Sequence, residues 1–141
     1  MKKNLYVFLF LFAALSTVLA QPQGDEDPIA RSLFPPELVM KYQQDIGLDE
    51  SQQTVIKNEI QKAQSRFLDL QWQLQSYTEQ MIKLLRENSV DEAKVLMQAD
   101  KVMNLEREIK KTHLSLLIRI KNRLTEQQQA KLLQLRSSAA N

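Results

Sequence analysis

The sequence predicts an all-α protein with four helices, in which two long helices form an antiparallel hairpin. Between Pro36 and Lys131 there is no further proline and no glycine except Gly47, so the residues that usually punctuate strands and hairpin turns are missing. Apolar residues recur through this region at helical spacing, and polar residues suited to helix caps divide it. We place the helical domain at residues 33–137 and expect a disordered tail at residues 138–141.

The chain begins with a segment typical of export signals. Lys2 and Lys3 supply the positive start, an apolar run covers residues 5–20, and a polar stretch follows the small residue Ala20. We predict that residues 1–20 are a cleaved signal peptide, which places the mature protein in the periplasm without membrane insertion. An uncleaved signal anchor is the alternative, because a run of 16 apolar-biased residues is close to the shortest membrane span.

A flexible acidic leader is expected at residues 21–32, which contain glycine, prolines and few apolar residues. The first helix then starts at Pro36, because proline suits the first helical position. It ends at Gly47, because glycine suits the position that caps a helix C-terminus.

The second helix begins within the phrase LDESQQ, residues 48–53. Asp49 can accept hydrogen bonds from amides of the first turn, and Gln52, three residues later, can reach back to the cap; this is the capping-box arrangement. From there to about residue 87, apolar residues recur at alternating spacings of 4 and 3, the period of helices packed side by side in coiled coils. This predicted seam comprises Ile56, Ile60, Ala63, Phe67, Leu70, Leu74, Tyr77, Met81 and Leu84.

The third and fourth helices start at two further capping patterns. Ser89, with Glu92 three residues on, predicts the start of a helix that runs to about Asn122. In the phrase LTEQQQ, residues 124–129, Thr125 is the cap and Gln128 is in the position that reaches back. The turn near Ser89 is so short that the two long helices must double back on each other.

A homodimer is expected because a thin hairpin buries little apolar surface by itself. Self-association would cover the apolar flank that the hairpin leaves exposed. This flank includes Leu68, Val95, Leu114 and Leu117.

The composition leaves few groups for chemistry. The sequence has one histidine and no cysteine, and it lacks a glycine-rich phosphate loop, so we predict that the protein is not an enzyme and expect no cofactor. Charge is uneven along the chain: residues 21–60 carry 3 basic and 8 acidic side chains, whereas residues 101–141 carry 9 and 3. This asymmetry favours contact between the two ends, within one chain or between two, or an anionic partner for the basic end.

His113 is the one residue to weigh as a metal ligand. Continuing the 4 and 3 spacing along the third helix places Glu106 and His113 on the packing side, with Asp69 on the opposing helix. This predicted seam comprises Val95, Ala99, Val102, Glu106, Ile109, His113, Leu116 and Ile120. Two carboxylates beside an imidazole could attract a divalent cation. Residues seven apart on a helix are about 10 Å apart, however, which is too far to share one ion. We favour the alternative, a partly buried histidine hydrogen-bonded to Asp69 or Glu106, with no bound metal.

A basic cluster covers residues 107–123 and alternates charged with apolar residues around the helix. Export makes nucleic acid an unsuitable partner. Two interpretations stay open: a solvated helix face, or a surface in which cations surround an apolar strip that binds unfolded or partner polypeptides. This predicted polypeptide-binding surface comprises Lys110, Lys111, Leu114, Leu117, Arg119 and Arg123.

The pattern L-[TD]-x-x-Q occurs twice and carries a family resemblance. Over residues 33–136 the chain resembles the Spy/CpxP family of small periplasmic helical proteins, which have paired LTxxQ motifs. Asp49 stands where the family usually has threonine, an exchange that keeps the capping role. The motif positions are Leu48, Asp49, Gln52, Leu124, Thr125 and Gln128.

The resemblance implies an antiparallel, cradle-shaped dimer that acts as an ATP-independent chaperone or inhibits an envelope-stress sensor kinase. A related branch of similar fold comprises heavy-metal sensors and zinc-binding stress proteins, whose ligands are several histidines with acidic and methionine partners. This sequence departs from that branch because His113 is its single histidine.

We therefore predict a periplasmic chaperone-like protein or stress-response modulator that binds unfolded polypeptides or a signalling partner. The alternative is a periplasmic sensor or resistance protein for heavy metals such as zinc, nickel, cobalt or copper. A third hypothesis is a coiled-coil adaptor that binds one specific partner.

Overall fold

Helices make up about four-fifths of the computed structural model, which describes residues 28–139 and has no β-strand in that range. The all-α prediction is confirmed, and each of the four predicted helices is present. A single helical turn precedes them, inside the predicted leader. The five elements are α1 (Pro28–Arg31), α2 (Pro36–Lys41), α3 (Glu50–Leu85), α4 (Glu92–Lys121) and α5 (Glu126–Ala139).

Several predicted segments lie wholly or partly outside the described residues. These are the signal peptide at residues 1–20, residues 21–27 of the leader and residues 140–141 of the tail. Helix α5 continues into the predicted tail as far as Ala139. None of the helices in residues 28–139 combines the length and apolarity that a membrane span requires.

Helices α3 and α4 form the predicted antiparallel hairpin. Their 36 and 30 residues correspond to about 54 and 45 Å of helix at 1.5 Å per residue. The direction follows from contacts in which one residue number rises as the other falls: Gln98 bonds to Tyr77, and Arg119 bonds to Glu59. The nine residues of the predicted α3 seam are all buried or half-buried, which confirms the seam.

The predicted packing face of α4 is wrong at two positions. Glu106 and His113 are exposed, and Gln98 and Leu105 are buried instead, whereas Leu116 and Ile120 are buried as predicted. A step of three residues from Val102 reaches Leu105, whereas the predicted step of four reached Glu106. Burying a leucine is favourable, and burying an unpaired carboxylate is costly. The helix therefore rotates the charged residues outward.

The start of α4 also differs from the prediction. Asp91, not Ser89, is the N-cap, and its Oδ1 accepts a hydrogen bond from the backbone amide of Lys94 at 3.1 Å. That hydrogen bond holds the pKa of Asp91 below its usual value. A carboxylate both caps the first turn and interacts favourably with the positive end of the helix dipole, so it outcompetes the serine hydroxyl two residues earlier.

The predicted helix end at Gly47 is wrong: α2 ends at Lys41 with Tyr42 as its C-cap, and Gly47 closes the turns that follow. Gly47 has a φ of 63°, a left-handed conformation that favours glycine. The amide of Leu48 donates to the carbonyl of Gln43, and the amide of Gly47 donates to the carbonyl of Gln44. This pair of bonds is the Schellman pattern of helix ends.

The main core lies at the open end of the hairpin, where α2, α5 and the chain before α3 meet it. Phe34, Val39, Ile56, Ile120 and Leu132 are all at most 2 % exposed there. Toward the hairpin tip, no third helix covers α3 and α4 in the described part of the chain. The hairpin is therefore packed against other helices at its open end, whereas at its tip the outer faces of α3 and α4 are not covered by another described helix.

Candidate functional site

The two copies of the repeated phrase form matching capping boxes. At the first, the amide of Gln52 donates to Asp49 Oδ1 at 2.7 Å and the amide of Asp49 donates to Gln52 Oε1 at 3.2 Å. At the second, the amide of Gln128 donates to Thr125 Oγ1 at 3.2 Å and the amide of Thr125 donates to Gln128 Oε1 at 2.9 Å. Both predicted caps are confirmed.

The two boxes also bind each other, which local reasoning did not predict. Gln52 Nε2 donates to Gln128 Oε1 at 2.8 Å, and Gln128 Nε2 donates to Gln52 Oε1 at 3.0 Å. Each amide then reaches the residue before the other motif: Gln52 Nε2 donates to the carbonyl of Arg123, and Gln128 Nε2 donates to the carbonyl of Gly47. We call this arrangement the glutamine clasp.

The second glutamine of each phrase repeats the symmetry. Gln53 Nε2 donates to the carbonyl of Leu48 at 3.1 Å, and Gln129 Nε2 donates to the carbonyl of Leu124 at 3.1 Å. Both leucines are buried. The repeated phrase thus joins the start of α3 to the start of α5, and it holds structure together instead of forming a reactive centre.

The candidate metal ligands are not brought together. His113, Glu106 and Asp69 are each exposed, and the imidazole packs edge-on against the Phe67 ring with 6.3 Å between centroids. The predicted hydrogen bond to Asp69 or Glu106 is not formed. No group of three or more His, Cys, Asp or Glu side chains in residues 28–139 could hold a metal ion. Zinc and similar ions take three or four protein ligands, so these side chains do not fit a metal site within one chain.

The predicted polypeptide-binding surface is only partly available. Leu117 is buried and cannot contact a partner, and Arg119 is bound to Glu59 at 2.9 Å. Lys110, Lys111 and Leu114 are exposed, as is Arg123.

An apolar stripe lies on the outer face of α4, and Leu114 is the one of its four members that the sequence analysis predicts to be exposed. Its members are separated by 7, 11 and 4 residues, intervals that return to nearly the same face at about 100° per residue. The predicted apolar flank groups Leu114 with Val95 and Leu117, which are half-buried and buried in the structure. This outer stripe consists of Leu96, Met103, Leu114 and Ile118, which are 57, 52, 42 and 43 % exposed.

An ion pair joins the two hairpin helices near their open end. Arg119 Nη1 lies 2.9 Å from Glu59 Oε2, and Lys62 Nζ lies 3.7 Å from Glu59 Oε1. The hydrogen bond from Arg119, assisted by the charges of both cations, holds the pKa of Glu59 below its usual value. The pair forms one end of an open groove of about 320 Å³ between α3 and α4.

Replacing Glu59 with glutamine is expected to remove part of the acid sensitivity of the fold. Because the folded pKa of Glu59 is lowered, the ion pair stabilises the protein above the unfolded pKa and loses that effect as pH falls through the folded pKa. The difference in melting temperature between the wild type and Glu59→Gln should therefore shrink from about pH 6 to about pH 3. Glu87→Gln, an exposed change near the hairpin tip, is the control, and a difference for Glu59→Gln that stays constant with pH would contradict the prediction.

Comparison with known proteins gives one result. The family described as heavy-metal resistance matches residues 3–131, which is most of the chain, so the chain belongs to this family, among the Spy/CpxP-like helical proteins. No curated protein and no solved structure matches the chain. The family supports the heavy-metal alternative more directly than the chaperone hypothesis.

Proposed function

We propose that this member of the heavy-metal resistance family serves resistance in the periplasm by binding polypeptides, with the outer stripe of α4 as its binding surface. The observation that carries the proposal is the set of four large apolar side chains on one face of α4 that the rest of the described chain leaves 42–57 % exposed. A folded chain rarely exposes several large apolar side chains along one face unless another molecule covers them. Membership of the family supports a role in heavy-metal resistance, and the exposed outer stripe supports polypeptide binding as the mode of action.

The chemistry of the outer stripe suits weak binding of extended or unfolded segments. Burying one side chain of the size of leucine or methionine is worth roughly 1.5–3 kcal/mol at most, and part of that is lost in ordering the partner. Arg107 is exposed on the same face, between Met103 and Leu114, and Lys110 is exposed beside it, so acidic residues near an apolar segment would be attracted. Such binding is strong enough to shield a client and weak enough to release it without ATP.

In this proposal heavy metal is the stress against which the protein acts, and the protein does not bind the metal ion itself. A direct sensor needs a preformed set of ligands, and His113 stands apart from Glu106 and Asp69 on the surface. Residues 28–139 would need further ligands from outside that range or from another molecule to complete a site. Polypeptide binding needs no such addition.

A homodimer is part of the proposal. Leu68 and Trp72 are 56 and 65 % exposed on the outer face of α3, four residues apart and therefore neighbours on the helix. Tryptophan is enriched at protein interfaces. We assign this patch to contact with a second copy, which leaves the stripe on α4 free for the client.

The experiment compares two double variants in a client-aggregation assay. The wild type should suppress light scattering by an unfolded client at near-stoichiometric amounts without ATP, and Leu114→Ser/Ile118→Ser should lose most of that effect. The matched control, Ile82→Ser/Leu133→Ser, removes the same residue types at similar exposures of 39 and 46 % but outside the stripe, and it should suppress aggregation like the wild type. Sedimentation of each variant separates loss of client binding from loss of the dimer.

Calorimetry with zinc, nickel and copper supplies the opposing outcome. The polypeptide proposal expects no tight binding that depends on His113. Tight binding of one of these ions that is abolished by His113→Ala, together with equal aggregation suppression by both double variants, would replace the proposal with a direct metal sensor.

A further inference from the structure

The groove between α3 and α4 exists because small residues face each other at one level of the hairpin. Ala63 is the smallest member of the α3 seam, and Thr112 and Ser115 stand across from it on α4. Elsewhere the seam is filled by larger side chains such as Phe67 and Leu70. Because the side chains at this level are small, they leave an open groove of about 320 Å³, with the buried Ala63 and Leu116 at its base.

The walls of the groove carry an excess of positive charge. Four cations and one carboxylate line it: Lys62, Arg66, Lys111, Arg119 and Glu59. The carboxylate is already engaged by two of the cations, at 2.9 and 3.7 Å.

The other two cations, Arg66 and Lys111, are not neutralised in the same way. Among residues 28–139, Arg66 forms no ion pair, and Lys111 has only a 3.7 Å contact with the half-buried Glu108. The end of the groove near these two side chains therefore carries a net positive charge in the described chain, with Glu108 as the one carboxylate paired there.

We propose that the groove is a binding site for a tetrahedral oxyanion of phosphate size and charge, a role separate from polypeptide binding on the outer stripe. Arg66 supplies a planar guanidinium that can donate two parallel hydrogen bonds to an oxyanion, and Lys111 supplies a compact positive charge. The hydroxyls of Thr112 and Ser115 are further donors at the same level.

Two structural features favour an ordered anion over diffuse attraction. The cations project from two helices that the hairpin packs rigidly against each other, so their backbones are fixed before the anion arrives. The hydroxyl-bearing residues are half-buried, and hydrogen bonds made there are less exposed to competition by water than those on an open surface. The anion is either free or the phosphate group of a larger molecule such as a lipid.

The test is calorimetric titration of the full mature chain with inorganic phosphate at constant ionic strength, with chloride as the reference anion. Arg66→Gln/Lys111→Gln should weaken phosphate binding by at least about tenfold, because charge-assisted hydrogen bonds are lost. Thr112→Val/Ser115→Ala, which keeps the charges and the shape, should weaken it by about threefold or more. Lys57→Gln/Lys83→Gln removes the same number of charges from exposed positions outside the groove and should bind like the wild type.

Flotation with vesicles of phosphatidylglycerol and phosphatidylcholine distinguishes the two sources of phosphate. Vesicle binding that is lost in Arg66→Gln/Lys111→Gln and kept in Lys57→Gln/Lys83→Gln, without binding of inorganic phosphate, supports a lipid phosphate as the anion. Saturable binding of inorganic phosphate with the same dependence supports the free ion. Equal weakening by both charge-removing double variants, or no difference between phosphate and chloride, would overturn the site.

Discussion

Replacing Gln128 with alanine is expected to lower the free energy of unfolding by about 2–4 kcal/mol. The Gln128 side chain accepts from the amide of Thr125 and from Gln52, and it donates to Gln52 and to the carbonyl of Gly47. It is only 9 % exposed, so water cannot fully replace it. Alanine removes these hydrogen bonds and leaves partly buried donors and acceptors without partners, a cost larger than the net value of the bonds themselves.

Urea denaturation followed by circular dichroism measures this effect, at one protein concentration because self-association would shift the midpoint. Gln127→Ala is the matched control, since it makes the same change in the same helix at an exposed position and should alter stability by less than about 0.5 kcal/mol. Gln128→Glu keeps the shape but can donate neither to Gly47 nor to Gln52, and it places a carboxylate beside their oxygens, so it should destabilise the protein at least as much as Gln128→Ala. If Gln127→Ala were as destabilising as Gln128→Ala, the clasp would not be what holds α3 and α5 together.

The hydrogen bonds within each capping box were predictable from the sequence, and the hydrogen bonds between the two boxes were not. Asp49 with Gln52, and Thr125 with Gln128, satisfy a spacing rule that operates within one helical turn. The contact between Gln52 and Gln128 joins residues 76 positions apart, and no local rule specifies it. The repetition of the phrase was the available signal, because two equivalent amides can pair reciprocally only if both are presented in the same way.

The packing face of α3 was predictable because its apolar spacing is nearly unbroken. On α4 the pattern branches: after Val102, a step of three leads to Leu105 and a step of four leads to Glu106. The second branch carried the prediction to His113 and produced a candidate metal site that the structure does not form. Only the facing helix decides between the branches, because it sets which side of α4 is buried.

The groove and the outer stripe have a common origin in that branched pattern. Helix α4 has more apolar residues than one seam can use, so Leu114 and Ile118 point outward while Leu116 and Ile120 point inward. The polar residues between these faces, including Thr112 and Ser115, then line the groove. One helix therefore presents three surfaces of different chemistry, a buried seam, a cationic groove and an exposed apolar stripe, and each surface can be altered separately.

Two isoleucines on α4 give the sharpest test of this separation. Ile120 is fully buried in the core that joins α2, α3, α4 and α5, and Ile118, two residues away on the same helix, is 43 % exposed. Ile120→Ala should destabilise the protein by about 2–5 kcal/mol, because burial is lost and a cavity remains. Ile118→Ala should change stability by less than about 0.5 kcal/mol, since alanine is the better helix former and little packing is lost.

Client binding should respond in the opposite order. In the aggregation assay, at a temperature where both variants are folded, Ile118→Ala should weaken suppression several-fold, because burial of its side chain against the client contributes about 1 kcal/mol or more. Ile120→Ala should suppress aggregation nearly as well as the wild type under the same conditions, since its side chain contacts only the core. If both variants lost client binding in proportion to their loss of stability, binding would follow from the overall fold and the outer stripe would have no separate role. If Ile118→Ala bound clients normally, the binding surface would have to lie elsewhere on the hairpin.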